Sequence, residues 1–353
     1  MSLKSQLEIS FSNRTSGTVN GTPFTATYDD QDRMLTFNSF TFDYSDNGDL
    51  IEKTDGTNSQ VLAWDEMSRL KSVVLNGTDT LEYRLDWNGR RVERKLNAAR
   101  TNGFAYDGPY TLAVDKNNLT GSIVDYVTAT TPNSVDFIKV GLIYYRVIKD
   151  HLGSPRLVVH FKTAAVAQRM DYNEWGAVTN DTNPGFQKFG FAGGLYDQHT
   201  KLVKFGAREY DGSIGRWLSK DPIRFDGGDS NLYGYVLQDP INAVDISGNI
   251  VIPLPVLIVA GAGAANAVGS AVGTYLSGGT SSEILSSAAS GVVSGAVTGL
   301  SALGGLYFGI PTSAAAVLTG VLTNAGTALV DANDILGSDL AKGHKDYFKK
   351  ACR

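Results

Sequence analysis

The chain is poor in the residues that build covalent or metal-bound frameworks. It has one cysteine, Cys352, and four histidines in 353 residues. A single thiol excludes an internal disulfide framework and any cysteine-based zinc site. The histidines stand at 151, 160, 199 and 344, without a His-Glu-x-x-His or other paired-ligand spacing, and no Gly-x-Ser-x-Gly elbow occurs. No metal and no cofactor are therefore expected. An excess of positive charge is also missing: 31 Lys and Arg stand against 36 Asp and Glu, a net charge of −5. That argues against a large basic surface and against nucleic acid as a partner. The start offers no secretory signal, because Met1-Ser2-Leu3-Lys4 is followed by polar residues instead of an apolar core. The expectation is a chain made in the cytoplasm, or a fragment of something longer.

Charge is scarce overall, at 19% of residues against about 25% in typical soluble domains. The scarcity is local. Residues 1–249 hold 57 of the 67 charged side chains, whereas residues 250–330 hold one, Glu283. The composition therefore divides the chain near residue 250.

What the first hundred residues do have is a repeat. Tyr28-Asp29-Asp30-Gln31-Asp32-Arg33-Met34, Tyr44-Ser45-Asp46-Asn47-Gly48-Asp49-Leu50, Trp64-Asp65-Glu66-Met67-Ser68-Arg69-Leu70 and Leu85-Asp86-Trp87-Asn88-Gly89-Arg90-Arg91 start 16, 20 and 21 residues apart. Asp and Asn side chains bond their own backbone in turns and tolerate the left-handed region, and Gly48 and Gly89 supply it freely. Alternating stretches such as Leu81-Glu82-Tyr83-Arg84-Leu85 read as strands with one buried face. A hairpin of about 20 residues cannot bury its apolar face alone, so the copies must stack.

These segments resemble the tyrosine–aspartate (YD) repeats of RHS-repeat proteins, which wind long β-sheets into hollow shells. Residues 144–248 resemble the RHS-associated core over nearly their whole length. The motifs are Asp150-His151-Leu152-Gly153-Ser154-Pro155-Arg156, Asp171-Tyr172-Asn173-Glu174-Trp175-Gly176, Phe189-Gly190-Phe191-Ala192-Gly193, Ala207-Arg208-Glu209-Tyr210-Asp211 and Gly215-Arg216-Trp217-Leu218-Ser219-Lys220-Asp221-Pro222. They are followed by Asn231-Leu232-Tyr233-Gly234-Tyr235-Val236, Asp239-Pro240 and Asp245-Ile246-Ser247-Gly248. The fold class implied is mainly β, a YD-repeat antiparallel β shell or spiral, with an α-helical apolar C-terminal region. The expected domains are 1–120 (YD repeats), 121–249 (RHS-associated core) and 250–353 (Gly/Ala-rich tail). Four repeats are too few to close a shell, so the end of a longer protein is expected.

The resemblance also implies chemistry. In many RHS proteins the core ends in two Asp-Pro-x-Gly-like motifs whose aspartates cut the chain shortly after the second. Carried over residue by residue, the catalytic pair is Asp221 and Asp245, and the scissile bond joins Asn249 to Ile250. The implied chemistry is that of an aspartic-protease dyad: two close carboxylates share a proton, one activating water and the other polarising the carbonyl. Three departures stand out: Arg224 occupies a usual Gly position, Ile246 replaces Pro, and Asn249 replaces Leu. An Arg at a Gly position needs a backbone angle that it adopts only at a cost. The alternative reading is that both aspartates only cap turns. His151, before a Gly-Ser-Pro turn, reads more simply as a backbone-bonding residue than as a catalyst.

The tail is of another kind. No charge occurs in Val251–Leu276 or in Ile284–Val330, and Gly269/Gly273 and Gly291/Gly295/Gly299 recur at helical spacing. That is the pattern by which apolar helices approach closely in lipid. Three helical segments are expected near 256–276, 282–309 and 312–332, and the basic end 331–353 suits a membrane surface or a solvated helix. In the family a variable toxin follows the core. The function expected is thus the C-terminal part of an RHS-type polymorphic toxin, exported by a dedicated secretion system or held at the surface. Its self-cleaving core would present a membrane-active effector to the lipid bilayer of a target cell, with a cognate immunity protein in the producer. The alternative is a structural or adhesion-type shell carrying an apolar pre-toxin linker.

Overall fold

The computed structural model describes residues 8–10, 13–108, 110–128 and 135–253. The apolar tail, with the three expected helices and the basic end, lies outside the described residues. From β1 (Glu8–Ser10) to β18 (Val178–Asp181), every strand pairs antiparallel with its neighbours in sequence, giving one 18-stranded meander. The ladder passes residue 120 inside a hairpin turn, between strands Leu112–Asn117 and Ile123–Val127.

The two ends of this sheet carry different turns. At one end Asn20, Asn38, Asn76 and Asn97 take left-handed φ of 49, 52, 51 and 51°. Asn38, Asn76 and Asn97 also accept a backbone N–H across the hairpin at 3.0, 2.8 and 2.8 Å. At the other end lie the aspartate turns. Asp65 Oδ1 accepts the N–H groups of Met67 and Arg69 at 2.9 and 3.0 Å, and its Oδ2 accepts Arg69 Nε at 2.7 Å. Asp29 and Asp86 repeat the pattern on Gln31 and Arg33, and on Asn88 and Arg90. In each, the residue three positions on is left-handed: Asp32, Ser68 and Gly89, at 62, 57 and 75°. The same turn recurs beyond the four sequence copies, at Asp150 with Gly153 and at Asn173 with Gly176.

Alternation along the strands puts Phe24, Met34, Phe42, Leu50, Leu62, Leu70, Val73 and Leu81 on one buried face. They pack with Leu202, Ile214 and Leu218 from the following segment. That segment forms a four-stranded antiparallel sheet of β19 (Leu195–Tyr196), β20 (Val203–Phe205), β21 (Arg208–Asp211) and β22 (Arg216–Trp217). Phe205, Tyr210, Trp217 and Tyr235 meet there, with ring centroids 4.4–6.2 Å apart. Charge also crosses from the meander to this sheet: Lys53 pairs with Asp211 at 2.7 Å, Arg91 with Glu209 at 2.8 Å, and Arg94 with Asp197 at 2.7 Å. Removing one member of such a buried pair leaves an uncompensated charge at a cost of roughly 3–5 kcal/mol, so these pairs fix how the two sheets dock. A final hairpin, β23 (Ala243–Val244) with β24 (Ile252–Pro253), ends the described chain.

Among the described residues no helix is long and apolar enough to cross a membrane, and no group of three or more His, Cys, Asp or Glu is arranged to hold a metal ion.

Candidate functional site

The site is assembled from two aspartate turns and the head of β21. Asp221 follows β22 and opens a turn in which Arg224 N–H bonds Asp221 O at 2.9 Å and Ile223 N–H bonds Asp221 Oδ1 at 3.0 Å. Arg224, the residue three on, has φ of 55°. Asp245 follows β23, and Gly248, three on, has φ of 70°. A Cβ on Gly248 would lie 2.3 Å from Phe205 O, so only glycine fits there. Each aspartate thus keeps part of the rim turn, in a buried setting: Asp221 accepts the N–H two residues on, Asp245 the N–H four on, and both have a left-handed residue three on.

Arg208, at the head of β21, lies between them. Its Nη2 is 2.8 Å from Asp221 Oδ2 and 3.1 Å from Asp245 Oδ2, which holds the two oxygens within about 6 Å of each other. Its Nε donates to Gly248 O, and its guanidinium stacks 4.2 Å from the Trp217 ring centroid. All three side chains are buried.

Asn249 and Ile250 lie in the loop joining β23 to β24, beside the carboxylates. Asp245 Oδ1 accepts the N–H groups of Asn249 and Ile250 at 3.1 and 3.2 Å and the hydroxyl of Ser247 at 3.1 Å. Ser247 Oγ accepts the same two amides at 3.2 and 3.3 Å. On the other side, Asn249 O and Asp221 Oδ2 each lie 2.9 Å from the place a Cβ on Gly227 would take, so both border one gap. The cavity here, lined by Arg208, Asp221, Gly227, Asp245 and Asn249, measures about 10 Å3, enough for about one water molecule. The structure therefore brings Asp221, Asp245, Asn249 and Ile250 into one place.

Burial dominates the electrostatics. It pushes both Asp221 and Asp245 above the usual 3.8, against the pull of Arg208 and of the backbone donors. It also lowers the Arg208 guanidinium, against the pull of both aspartates. Asp245 Oδ1 accepts the Ile250 N–H, so a carboxyl group stands against the nitrogen that would leave if the Asn249–Ile250 bond were cut, with a second carboxyl group across Arg208. The Arg208 cation between the two carboxylates makes this a three-residue charge cluster.

Sequence reasoning missed Arg208 and Ser247 as members of the site. Both stand inside the motifs that carry the family resemblance, but no spacing rule links Arg208 to aspartates 13 and 37 positions away. His151 is elsewhere, with Nε2 donating to Ile241 O at 2.9 Å.

The teneurin YD-shell family profile matches residues 12–241. Teneurin-3 of Danio rerio is 30% identical over 180 residues, covering 47% of this chain and 6% of that protein. Teneurin-4 of Homo sapiens is 33% identical over 150 residues, 41% of this chain and 5% of that protein. Salivary gland surface protein 1 of Aedes aegypti is 27% identical over 290 residues, 71% of this chain and 8% of that protein. The chain thus spans less than a tenth of the length of these relatives. Among solved structures it is similar to TcdB2-TccC3, with a TM-score of 0.44 and 17% identity over 64% of this chain and 16% of that one. It is similar also to the Photorhabdus luminescens Tc holotoxin pore, with a TM-score of 0.45 and 16% identity over 69% of this chain and 16% of that one. A profile match across well over half of the chain, on a meander whose turns repeat the same aspartate geometry, makes this chain a member of the teneurin YD-shell family.

Proposed function

We propose that this chain is the closing end of a YD-repeat shell that cuts itself between Asn249 and Ile250 and so frees residues 250–353 from the shell. The observation that carries this reading is the hydrogen bond from Ile250 N–H to Asp245 Oδ1 at 3.2 Å. The nitrogen that must leave in that cleavage is already in contact with a buried carboxyl group. Asp221, Gly227 and the cavity between them supply the opposite side of the peptide. The test is the intact mass of the purified wild type and of Asp245→Asn. A fragment of residues 250–353 from the wild type alone is the expected result, and an uncut wild type overturns the reading.

The freed segment is proposed to act on the lipid bilayer of a target cell, which its single charge in residues 250–330 supports. Export from a producer that holds a cognate immunity protein goes with that role. Residues 250–353 added to dye-loaded liposomes are expected to release the dye. Intact liposomes at every lipid composition would leave the tail as a linker on a structural shell.

A further inference from the structure

The residue on the carbonyl side of the proposed cleavage is an asparagine, and its side chain is itself a nucleophile. We propose that the Asn249–Ile250 bond breaks by cyclisation of Asn249 and not by attack of water, an inference that rests on the self-cleavage reading above. Asn249 Nδ2 attacks its own carbonyl carbon. The Nδ2–C bond forms, the C–N bond to Ile250 breaks, and residue 249 closes into a five-membered C-terminal succinimide. One proton leaves Nδ2 for a site carboxylate, and one passes from a site carboxyl to the Ile250 nitrogen, which departs as a free amine. Nothing is oxidised or reduced, and water is neither consumed nor released.

Two observations and one general advantage direct the asparagine to this course. Asparagine has a competing reaction, in which the following backbone nitrogen attacks the side-chain carbonyl and the residue deamidates with the chain intact. Here that nitrogen is the one tied to Asp245 Oδ1 at 3.2 Å and to Ser247 Oγ at 3.3 Å, and it belongs to a β-branched residue that crowds the approach. The same bonds set a carboxyl group and a hydroxyl, both able to exchange a proton, against it as a leaving group. Second, Asn249 Oδ1 is buried without a hydrogen-bond partner, so no contact through that oxygen holds the carboxamide away from the carbonyl. Third, the nucleophile and its target belong to one residue, which gives the intramolecular reaction the advantage of high effective concentration. A free water, by contrast, must be fixed in a cavity with room for about one.

The products distinguish the two routes. The N-terminal fragment of freshly cut wild type is expected to be lighter by one water molecule than residues 1–249 with a free carboxylate, and to gain that mass on incubation at mildly alkaline pH. Asn249→Leu and Asn249→Gln are expected to remain whole, although each retains Asp221, Asp245 and Arg208. An N-terminal fragment of full hydrolytic mass at the earliest time point, together with cutting of Asn249→Leu at the wild-type rate, overturns the cyclisation and leaves self-cleavage standing. A wild type that is never cut overturns self-cleavage itself. If Asn249→Leu is whole and the earliest wild-type fragment carries the water deficit, the cyclisation holds.

Discussion

The aspartate turns at the rim of the sheet and those of the candidate site share a left-handed residue three positions after the aspartate, yet their carboxyl groups shift in opposite directions. At Asp29, Asp65 and Asp86 the carboxylate accepts the N–H groups two and four residues on and the guanidinium of its own turn. Burial pushes these carboxyl groups upward, but the arginine and the backbone donors outweigh it and hold all three below 3.8. Asp221 and Asp245 also accept backbone N–H groups of their own turns and have the same left-handed residue three positions on, yet burial prevails and both lie above 3.8. The turn fixes where the carboxylate points. Its depth decides whether burial or the donors around it set the direction in which its pKa moves.

The arginines show the largest difference. Arg69 serves one rim carboxylate with its side chain 27% exposed, whereas Arg208 serves two with its side chain 4% exposed. The comparison is best made in the Asp245→Asn background, which by the proposal above keeps the chain whole. There, Arg208→Met is expected to cost roughly 3–5 kcal/mol in urea unfolding, because Asp221 is left buried and unpaired. Arg69→Met should cost no more than about 1 kcal/mol, since its partner can be solvated. Equal losses at the two sites would break the distinction between rim and interior.

Much of this was legible in the residues. The aspartate, its acceptor geometry and the left-handed position three on follow from Asp/Asn turn chemistry, and the alternating stretches between them became strands, as at Leu81–Leu85. The turn also continues past the four sequence copies at Asp150 and Asn173, because a carboxylate and an amide oxygen accept the same N–H groups. The pairing of Asp221 with Asp245 was available only through family resemblance. Arg208 between them was not legible, because its position depends on β20 and β21 pairing and on the register Phe205↔Arg208. Nor could the sequence show that charged residues such as Lys53 and Arg91 would point inward, since a period of two assigns a face but does not say which partner meets it.

Arg224 sharpens the comparison at a smaller scale. The rim turns place Asp32, Ser68 or Gly89 in the left-handed region, where short polar residues and glycine are tolerated, whereas Arg224 holds φ of 55° with a long exposed side chain. The left-handed region costs a non-glycine residue about 1–2 kcal/mol, part of which glycine returns through its freer unfolded chain. Arg224→Gly, in the same Asp245→Asn background, is expected to stabilise the protein by about 1 kcal/mol, read as a higher urea midpoint with unchanged slope. A loss of stability would mean that the guanidinium makes a contribution larger than the strain.

The smallest effect is one of sign. A carboxyl group held below its unfolded value contributes stability that is present above that value and lost as pH falls through the folded pKa. A group held above it contributes stability that is present below the unfolded value and lost as pH rises through the folded pKa. Asp65 is of the first kind and Asp221 of the second. Urea unfolding from pH 3 to pH 7, in an Asn249→Leu background that stays whole and keeps Asp221, Asp245 and Arg208, therefore separates them. The stability difference between that background and its Asp65→Asn derivative should grow as pH rises through the acidic range. The difference for the Asp221→Asn derivative should shrink over the same range, since the aspartate becomes a buried charge as it ionises. The opposite signs of the two slopes are the readout, and they hold even where the absolute differences are small. Slopes of the same sign would mean that depth does not divide the two turns.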